Sequence, residues 1–306
     1  MKNKGLDLRV TIAGITLNNP ITTASGTFSA RESSAFYNIN ELGAMITKGV
    51  STIPWPGNPT PRIAEVYGGM INSIGLQNPG IDVFIKEELP FLEQFDTALI
   101  VNVAGRTVEE YCEVVEKLND TKADMLEINI SCPNIKEGGI SFGTDPKMAA
   151  EVTKQVKTRS QKPILMKLTP NVGDVAEIAR AVESEGADGI SLINTLLGMR
   201  IDVHKKTPVL FNRMGGLSGP AVKPVAVRMV YQVRRAVTIP IVGMGGIMSG
   251  EDAVEFIMAG ADAVSVGTAA LVDPAAPVRI KKELIEYMKK NNFKTMKDIR
   301  DSFQDR

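Results

Sequence analysis

A closed parallel (β/α)8 barrel, the TIM-barrel member of the α/β class, is the fold this sequence predicts. Three observations point to it. Short apolar runs rich in Val and Ile recur along the chain, each closing in polar or glycine-rich residues and each followed by an amphipathic stretch. The runs are nearly continuous in apolar character, as strands covered on both faces are. The 306 residues, 43% of them hydrophobic, suit one such barrel as a single domain spanning 1–306.

The strand candidates are Pro20–Ser25, Ala44–Val50, Ala98–Val103, Met125–Ser131, Pro163–Thr169, Gly189–Thr195, Ile239–Gly245 and Ala263–Thr268. Between them the helical stretches are Val108–Leu118, Met148–Arg159, Val175–Glu185, Val222–Ala236, Gly250–Ala259 and Ala275–Lys290. In Val175–Glu185 the residues Val175, Ile178, Ala179 and Val182 keep the i, i+3, i+4, i+7 spacing of one helix face. Asp174, Ser249 and Asp273 stand where N-caps belong. Gly186-Ala187-Asp188 and Gly260-Ala261-Asp262 each end a helix and turn into a strand, which marks a repeated unit. Ahead of the barrel, Leu8–Ile12 and Ile15–Leu17 join at Gly14 as a hairpin that plugs its N-terminal end. The Pro- and Gly-rich stretch from Ser51 to Gly80 is too short for its own core and reads as an excursion over the C-terminal face.

Composition narrows the function. Thirty-five basic residues balance 35 acidic ones without a block of either sign, so nothing announces a nucleic-acid or membrane-surface partner. Two cysteines, Cys112 and Cys132, make neither a disulfide framework nor an iron–sulfur site. No apolar h-region opens the chain and no run nears the roughly 20 apolar residues of a membrane span. A cytoplasmic protein is expected.

Barrels of this kind carry their chemistry at the carboxyl ends of the strands. In order those ends hold Ser25-Gly26, Lys48-Gly49, Asn102, Asn129 to Asn134, Lys167, Asn194-Thr195, Gly245-Gly246 and Gly267-Thr268. The fourth is the richest. Asn129-Ile130-Ser131-Cys132-Pro133-Asn134 closes an apolar strand at a proline that cannot continue a sheet ladder, leaving a thiol among amides and a serine. The glycines after the seventh and eighth runs, with a helix start beyond them, form a cradle for a phosphate, and Gly215 to Pro220 supplies a further glycine wall. Lys48 and Lys167 each end an apolar strand, where an ammonium needs an anion. A Schiff base, a carboxylate partner and a cofactor's developing negative charge all meet that need. No strand end offers a clear metal set. His204, the single histidine, lies in a charged loop, so Cys132 has no histidine partner and, as a thiol or thiolate, suits a proton acceptor better than an acylated nucleophile. Cys112 reads as packing, and Trp55 as cover for the site rim or a partner surface.

Over nearly its whole length the chain resembles the dihydroorotate dehydrogenases, flavin enzymes of pyrimidine biosynthesis. The resemblance rests on Ala24-Ser25-Gly26-Thr27, Thr47-Lys48-Gly49, Gly57-Asn58-Pro59-Thr60-Pro61-Arg62 and Asn72-Ser73-Ile74-Gly75-Leu76-Gln77-Asn78-Pro79-Gly80. It continues through Asn129 to Asn134, Lys167-Leu168-Thr169-Pro170-Asn171, Ile193-Asn194-Thr195 and Gly215-Gly216-Leu217-Ser218-Gly219. It implies one FMN per chain and oxidation of dihydroorotate to orotate, with Cys132 removing the C5 proton as hydride leaves C6. Cysteine as the base marks the soluble class. Lys167 would stabilise charge on the reduced flavin. Ser25, Lys48, Gly49, Asn102, Asn129, Ile193, Gly219, Gly245, Gly246, Gly267 and Thr268 would line the FMN, the last four at its phosphate. Lys48, Asn72, Ser73, Ile74, Gly75, Leu76, Asn129, Asn134, Asn194 and Thr195 would hold the pyrimidine. Gly138, Gly139 and Gly143 suit a lid that closes over substrate.

Two segments, Gly138 to Pro146 and Asn194 to Arg200, resemble the catalytic subunit of the NAD-linked type. That type implies a homodimeric core with a separate subunit carrying FAD and a [2Fe–2S] cluster, a heterotetramer that passes electrons to NAD. A fumarate-reducing homodimer shares the same site. A dihydrouridine synthase would need a basic tRNA-binding face, which neutral net charge disfavours. A barrel that binds a phosphate ligand without catalysis would have little use for Cys132, both lysines and the asparagines together.

Overall fold

The computed structural model describes residues 5–131 and 142–305. Eight parallel strands close into a barrel: β1 (Ile21–Thr23), β2 (Ala44–Ile46), β3 (Ala98–Val103), β4 (Met125–Asn129), β5 (Ile164–Leu168), β6 (Gly189–Leu192), β7 (Ile241–Met244) and β8 (Ala263–Val266). Each pairs with the next in sequence, and β8 returns to β1 with Ser265 beside Thr22. The expected strands are all present; Ala98–Val103 keeps its full length and the others are trimmed at their ends. β2 stops at Ile46 rather than Val50 because threonine hydroxyls replace backbone carbonyls in the ladder. Thr23 Oγ1 accepts the N–H of Ile46 at 3.0 Å, and Thr47 Oγ1 accepts that of Asn102 at 3.1 Å.

Helices wrap the barrel, among them Val108–Asn119, Pro146–Arg159, Val175–Ser184, Lys223–Arg234, Gly250–Ala259 and Ala276–Lys290. The face of Val175–Ser184 is buried at Val175, Ile178, Ala179 and Val182 as the spacing required, with Asp174 as N-cap. Ser249 caps Gly250–Ala259 in a reciprocal box with Asp252. Asp273 is not the N-cap of the last long helix. Ala275 holds that place, while Asp273 accepts the Ala275 N–H at 3.0 Å and pairs with Arg279. The helical run from Ile81 to Leu92, with a π-turn over Phe84–Glu88, was not expected. Pro90 disguises it, yet Ile81, Phe84, Leu89 and Leu92 fill the core.

The repeat seen at Ala187-Asp188 and Ala261-Asp262 has a third copy at Ala123-Asp124 and one mechanical purpose. Each aspartate stands just before a strand and clasps the start of the preceding one with two bonds. Its Oδ2 accepts the N–H of Leu99, Ile164 or Ile241 at 2.7, 2.9 and 2.8 Å. Its own N–H donates to the same residue's carbonyl at 2.9, 3.1 and 2.7 Å. These clasps lie at the N-terminal rim. The hairpin Val10–Ile12 and Ile15–Leu17 closes that rim, with Ile12 and Leu17 packed on Ala44, Ile46, Ile100, Met125, Leu165, Val242 and Ala263.

The C-terminal face holds a sheet that was not expected. Strands Ile63–Val66 and Gly69–Asn72 from the first long insertion pair with Met214–Ser218 and Leu196–Met199 from beyond β6, in a four-stranded antiparallel sheet. Gly215 and Gly216 therefore belong to a strand rather than to a loop wall. A Cβ on Gly215 would stand 2.6 Å from the Asn72 carbonyl oxygen, so this pairing requires glycine.

Candidate active site

Inward-facing residues alternate along each strand, and their chemistry changes with height in the barrel. The lowest layer is the apolar one sealed by the hairpin. Two residues further along, the wall becomes polar: Asn102 on β3, Glu127 on β4, Lys167 on β5 and Ser191 on β6. Glu127 is fully buried. Its Oε1 accepts from Ser191 Oγ at 2.7 Å, and its Oε2 accepts from Asn102 Nδ2 at 2.5 Å and faces Lys167 Nζ at 3.3 Å. Across the barrel, Thr22 and Ser265 hydroxyls meet at 2.6 Å.

Above this layer opens a cavity of about 280 Å³. The expected residues converge on it from seven strand ends and both insertions. Ser25, Lys48 and Gly49 form one side, and Asn72, Ile74, Gly75 and Leu76 overhang from the insertion after β2. Asn129, Lys167, Ile193, Asn194 and Thr195 face them, and Gly219, Gly245, Gly246, Gly267 and Thr268 close the far end. Two expected residues stand behind the wall. Ser73 is fully buried, and so is Asn102, whose Oδ1 has no hydrogen-bond partner among the described residues and lies where a Cβ on Gly49 would come within 2.8 Å. Cys132, Asn134, Gly138 and Gly139 lie outside the described residues.

The amides beside the strand-four end form a connected set. Asn129 Oδ1 accepts from Ser131 Oγ at 2.7 Å, and Ser131 Oγ accepts from Asn194 Nδ2 at 2.6 Å. Asn194 Oδ1 accepts the Thr195 N–H at 2.7 Å. Tyr111 steadies the base of the set by donating its hydroxyl proton to the Asn129 carbonyl at 2.7 Å. Such a chain holds its members in one orientation and leaves their outer faces for a planar polar ligand.

The charges are arranged for an anion. The Lys48 ammonium has no hydrogen-bond or ion-pair partner among the described residues. Burial first, and the nearby Arg62 second, hold its proton affinity below the ordinary lysine range. At the far end Gly219, Gly245 and Gly246 take φ values of 105°, 125° and 78°, open to glycine alone without strain. The helix after β7, Gly250–Ala259, has part of its N-terminus already taken. The N–H groups of Met248, Ser249 and Gly250 are occupied by the carboxylates of Asp252 and Glu283, which leaves that helix fewer donors for an anion. A second, shorter helix starts at the same end. Thr268–Val272 begins in the cavity wall, and no side chain caps it.

The family model described as dihydroorotate dehydrogenase matches residues 7–288. The chain belongs to the dihydroorotate dehydrogenase family. It is 59% identical to the "Dihydroorotate dehydrogenase B (NAD(+)), catalytic subunit" of Alkaliphilus metalliredigens, over 97% of this chain and 99% of that protein. Proteins of the same name from Lachnoclostridium phytofermentans and Geobacter sulfurreducens are 57% and 55% identical, over 96% of this chain and 98% and 97% of theirs. The crystal structure of DHODH from Eimeria tenella in complex with ferulenol shares the fold. Its TM-score is 0.79 at 23% identity, covering 97% of this chain and 88% of that one.

The family is flavin-dependent, and the cavity fits a flavin nucleotide on its own terms. A glycine cradle with an uncapped helix start suits the phosphate. The unpartnered Lys48 and the orphaned Asn102 Oδ1 are polar groups placed at or beside the wall with capacity to spare. Sequence reasoning had missed Glu127, Ser191 and Tyr111 as members of a dehydrogenase site, and had named Ser131 only as the serine beside Cys132. For Glu127 a signal existed: it shares the inward parity of Met125 and Asn129, so an acid in that run had to point into the barrel. Among the remaining expectations, His204 is exposed, Cys112 is buried in Val108–Asn119, and Trp55 is buried beneath the Arg106 guanidinium rather than lining the cavity. No helix among the described residues is long and apolar enough to cross a membrane.

Proposed function

We propose that this chain is the catalytic subunit of an NAD-linked dihydroorotate dehydrogenase, a single FMN-binding barrel that oxidises dihydroorotate to orotate in pyrimidine synthesis. The observation that carries the reading is the pairing of an anion-seeking Lys48 with the Asn129, Ser131, Asn194 and Thr195 set in one cavity. The names of the relatives supply the reaction and its acceptor.

Lys48 would receive the carboxylate of the substrate. Asn72, Asn129, Asn134, Asn194 and Thr195, with Ser73 and the backbone from Ile74 to Leu76, would fix the ring so that C5 faces Cys132 and C6 faces the cofactor. FMN, when bound, supplies the acceptor for the C6 hydride. Cys132 takes the C5 proton, which leaves the C5=C6 double bond of orotate. Ser25, Gly49, Asn102, Lys167, Ile193 and Gly219 would hold FMN beside Lys48 and Asn129, with Gly245, Gly246, Gly267 and Thr268 at the phosphate. A homodimeric core joined by a subunit carrying FAD and a [2Fe–2S] cluster accounts for the words "catalytic subunit" and for a chain with too few cysteines for a cluster.

Anaerobic addition of dihydroorotate to the FMN-loaded chain tests this directly. Bleaching of the flavin band that neither NAD nor fumarate reverses is the expected result, because the electron carrier sits on another subunit. No bleaching would overturn the substrate, and bleaching reversed by fumarate would overturn the NAD-linked assignment.

A further inference from the structure

Strand β4 carries one carboxylate for which the reaction above has no use. Glu127 is fully buried, does not line the cavity, and touches it only through Lys167, which does. Its contacts are complete: Ser191 Oγ at 2.7 Å on Oε1, and Asn102 Nδ2 at 2.5 Å with Lys167 Nζ at 3.3 Å on Oε2. Lys167 is itself buried and has Glu127 as its one ion-pair partner among the described residues. A core position needs no such pair, because replacing buried ion pairs by apolar residues of similar volume is often neutral or stabilising. The pair also consumes the Nδ2 of Asn102, which fixes that amide with its Oδ1 toward Gly49 in the cavity wall.

We infer that Glu127 is a positioning residue that sets how much of the Lys167 charge acts on the flavin, by anchoring the ammonium and offsetting its field. The inference rests on the FMN reading above. A cation beside the flavin favours the reduced form, in which negative charge accumulates, and an anion bonded to that cation opposes the effect. Removing the carboxylate while keeping its shape therefore makes the flavin easier to reduce. Removing the lysine alone strands the carboxylate and makes reduction harder. Removing both charges brings the balance back toward its starting point.

The experiment is a redox titration of the FMN-loaded chain with a chemical reductant and a reference dye, without dihydroorotate. Glu127→Gln should keep its flavin and shift the reduced-to-oxidised ratio at a set potential about tenfold toward reduced, about 30 mV for a two-electron couple. Lys167→Met should shift it in the opposite sense, and the double variant should return to within about threefold of the parent. A Glu127→Gln ratio equal to the parent's overturns the inference. If Glu127→Gln does not fold, the comparison of Lys167→Met with the double variant decides it: a shift of about tenfold supports the inference, and equal ratios overturn it. Because the reductant is chemical, failure of dihydroorotate to bleach the parent would sink the proposed substrate and leave this result standing.

Discussion

Truncating Ile12 to alanine separates the end of the barrel that holds it together from the end that does chemistry. Ile12 is fully buried at the tip of the N-terminal hairpin, against Leu17 and the lowest inward layer of the barrel. The change removes three carbons, worth about 2.4 kcal/mol in transfer free energy at about 0.8 kcal/mol each. The strands around the void are locked into a closed ladder and clasped at their starts by Asp124, Asp188 and Asp262, so they cannot collapse onto it. The residual cavity then raises the total to about 3–4 kcal/mol. Equilibrium urea unfolding should show the midpoint falling with an unchanged slope. Thr11→Ala, one exposed residue away, should stay within about 0.5 kcal/mol of the parent. FMN affinity, measured on the folded protein, should not move. A loss below about 1 kcal/mol would refute the plug, and a parallel loss of FMN affinity would refute the separation of the two ends.

Three further outcomes are expected. Cys132→Ala should retain FMN and lose about 10²–10⁴-fold in dihydroorotate oxidation, and unchanged turnover would overturn the base assignment. Lys48 has its proton affinity depressed by burial and by Arg62, so orotate binding should be full while the lysine is protonated and weaken as pH climbs through its value, below the ordinary lysine range. For the same reason stability of the unliganded chain should rise with pH between that value and the ordinary one, where only the unfolded chain still holds the proton. Lys48→Met should bind orotate about 10–100-fold more weakly with the pH dependence gone, and a retained dependence in a spectral titration would refute the role. A Cβ on Gly216 would lie 2.0 Å from Thr195 Oγ1, so Gly216→Ala must displace Thr195 and weaken orotate binding about tenfold or more. Unchanged affinity would remove Thr195 from the substrate site.

The barrel was legible because its signals are local. A strand buried on both faces needs an apolar run, a helix needs its stripe and cap, and the order of runs and stripes determines a (β/α)8 closure. The strand-end chemistry was legible for the same reason: parallel strands deliver their carboxyl ends to one face, so Lys48, Asn129, Lys167 and Asn194 had to meet. The helix from Ile81 was hidden by Pro90, and the clasping role of the aspartates was hidden because their partners are 21 to 25 residues away.

By itself, then, the chain determined the barrel, the plug and most of the residues that line the cavity, since each follows from spacing along one segment. Tertiary structure alone decided what joins separate segments. The sheet over the mouth needs Gly69–Asn72 to find Met214–Ser218, far apart in sequence and matched by no periodic signal. The start of the helix after β7 was read as open to an anion, but the carboxylates of Asp252 and Glu283, reached from further along the chain, take the N–H groups of Met248, Ser249 and Gly250. Lys167 could have served as a Schiff base, a carboxylate partner or a charge for a cofactor. Only the closed barrel, by bringing β4 beside β5, put Glu127 within 3.3 Å of it.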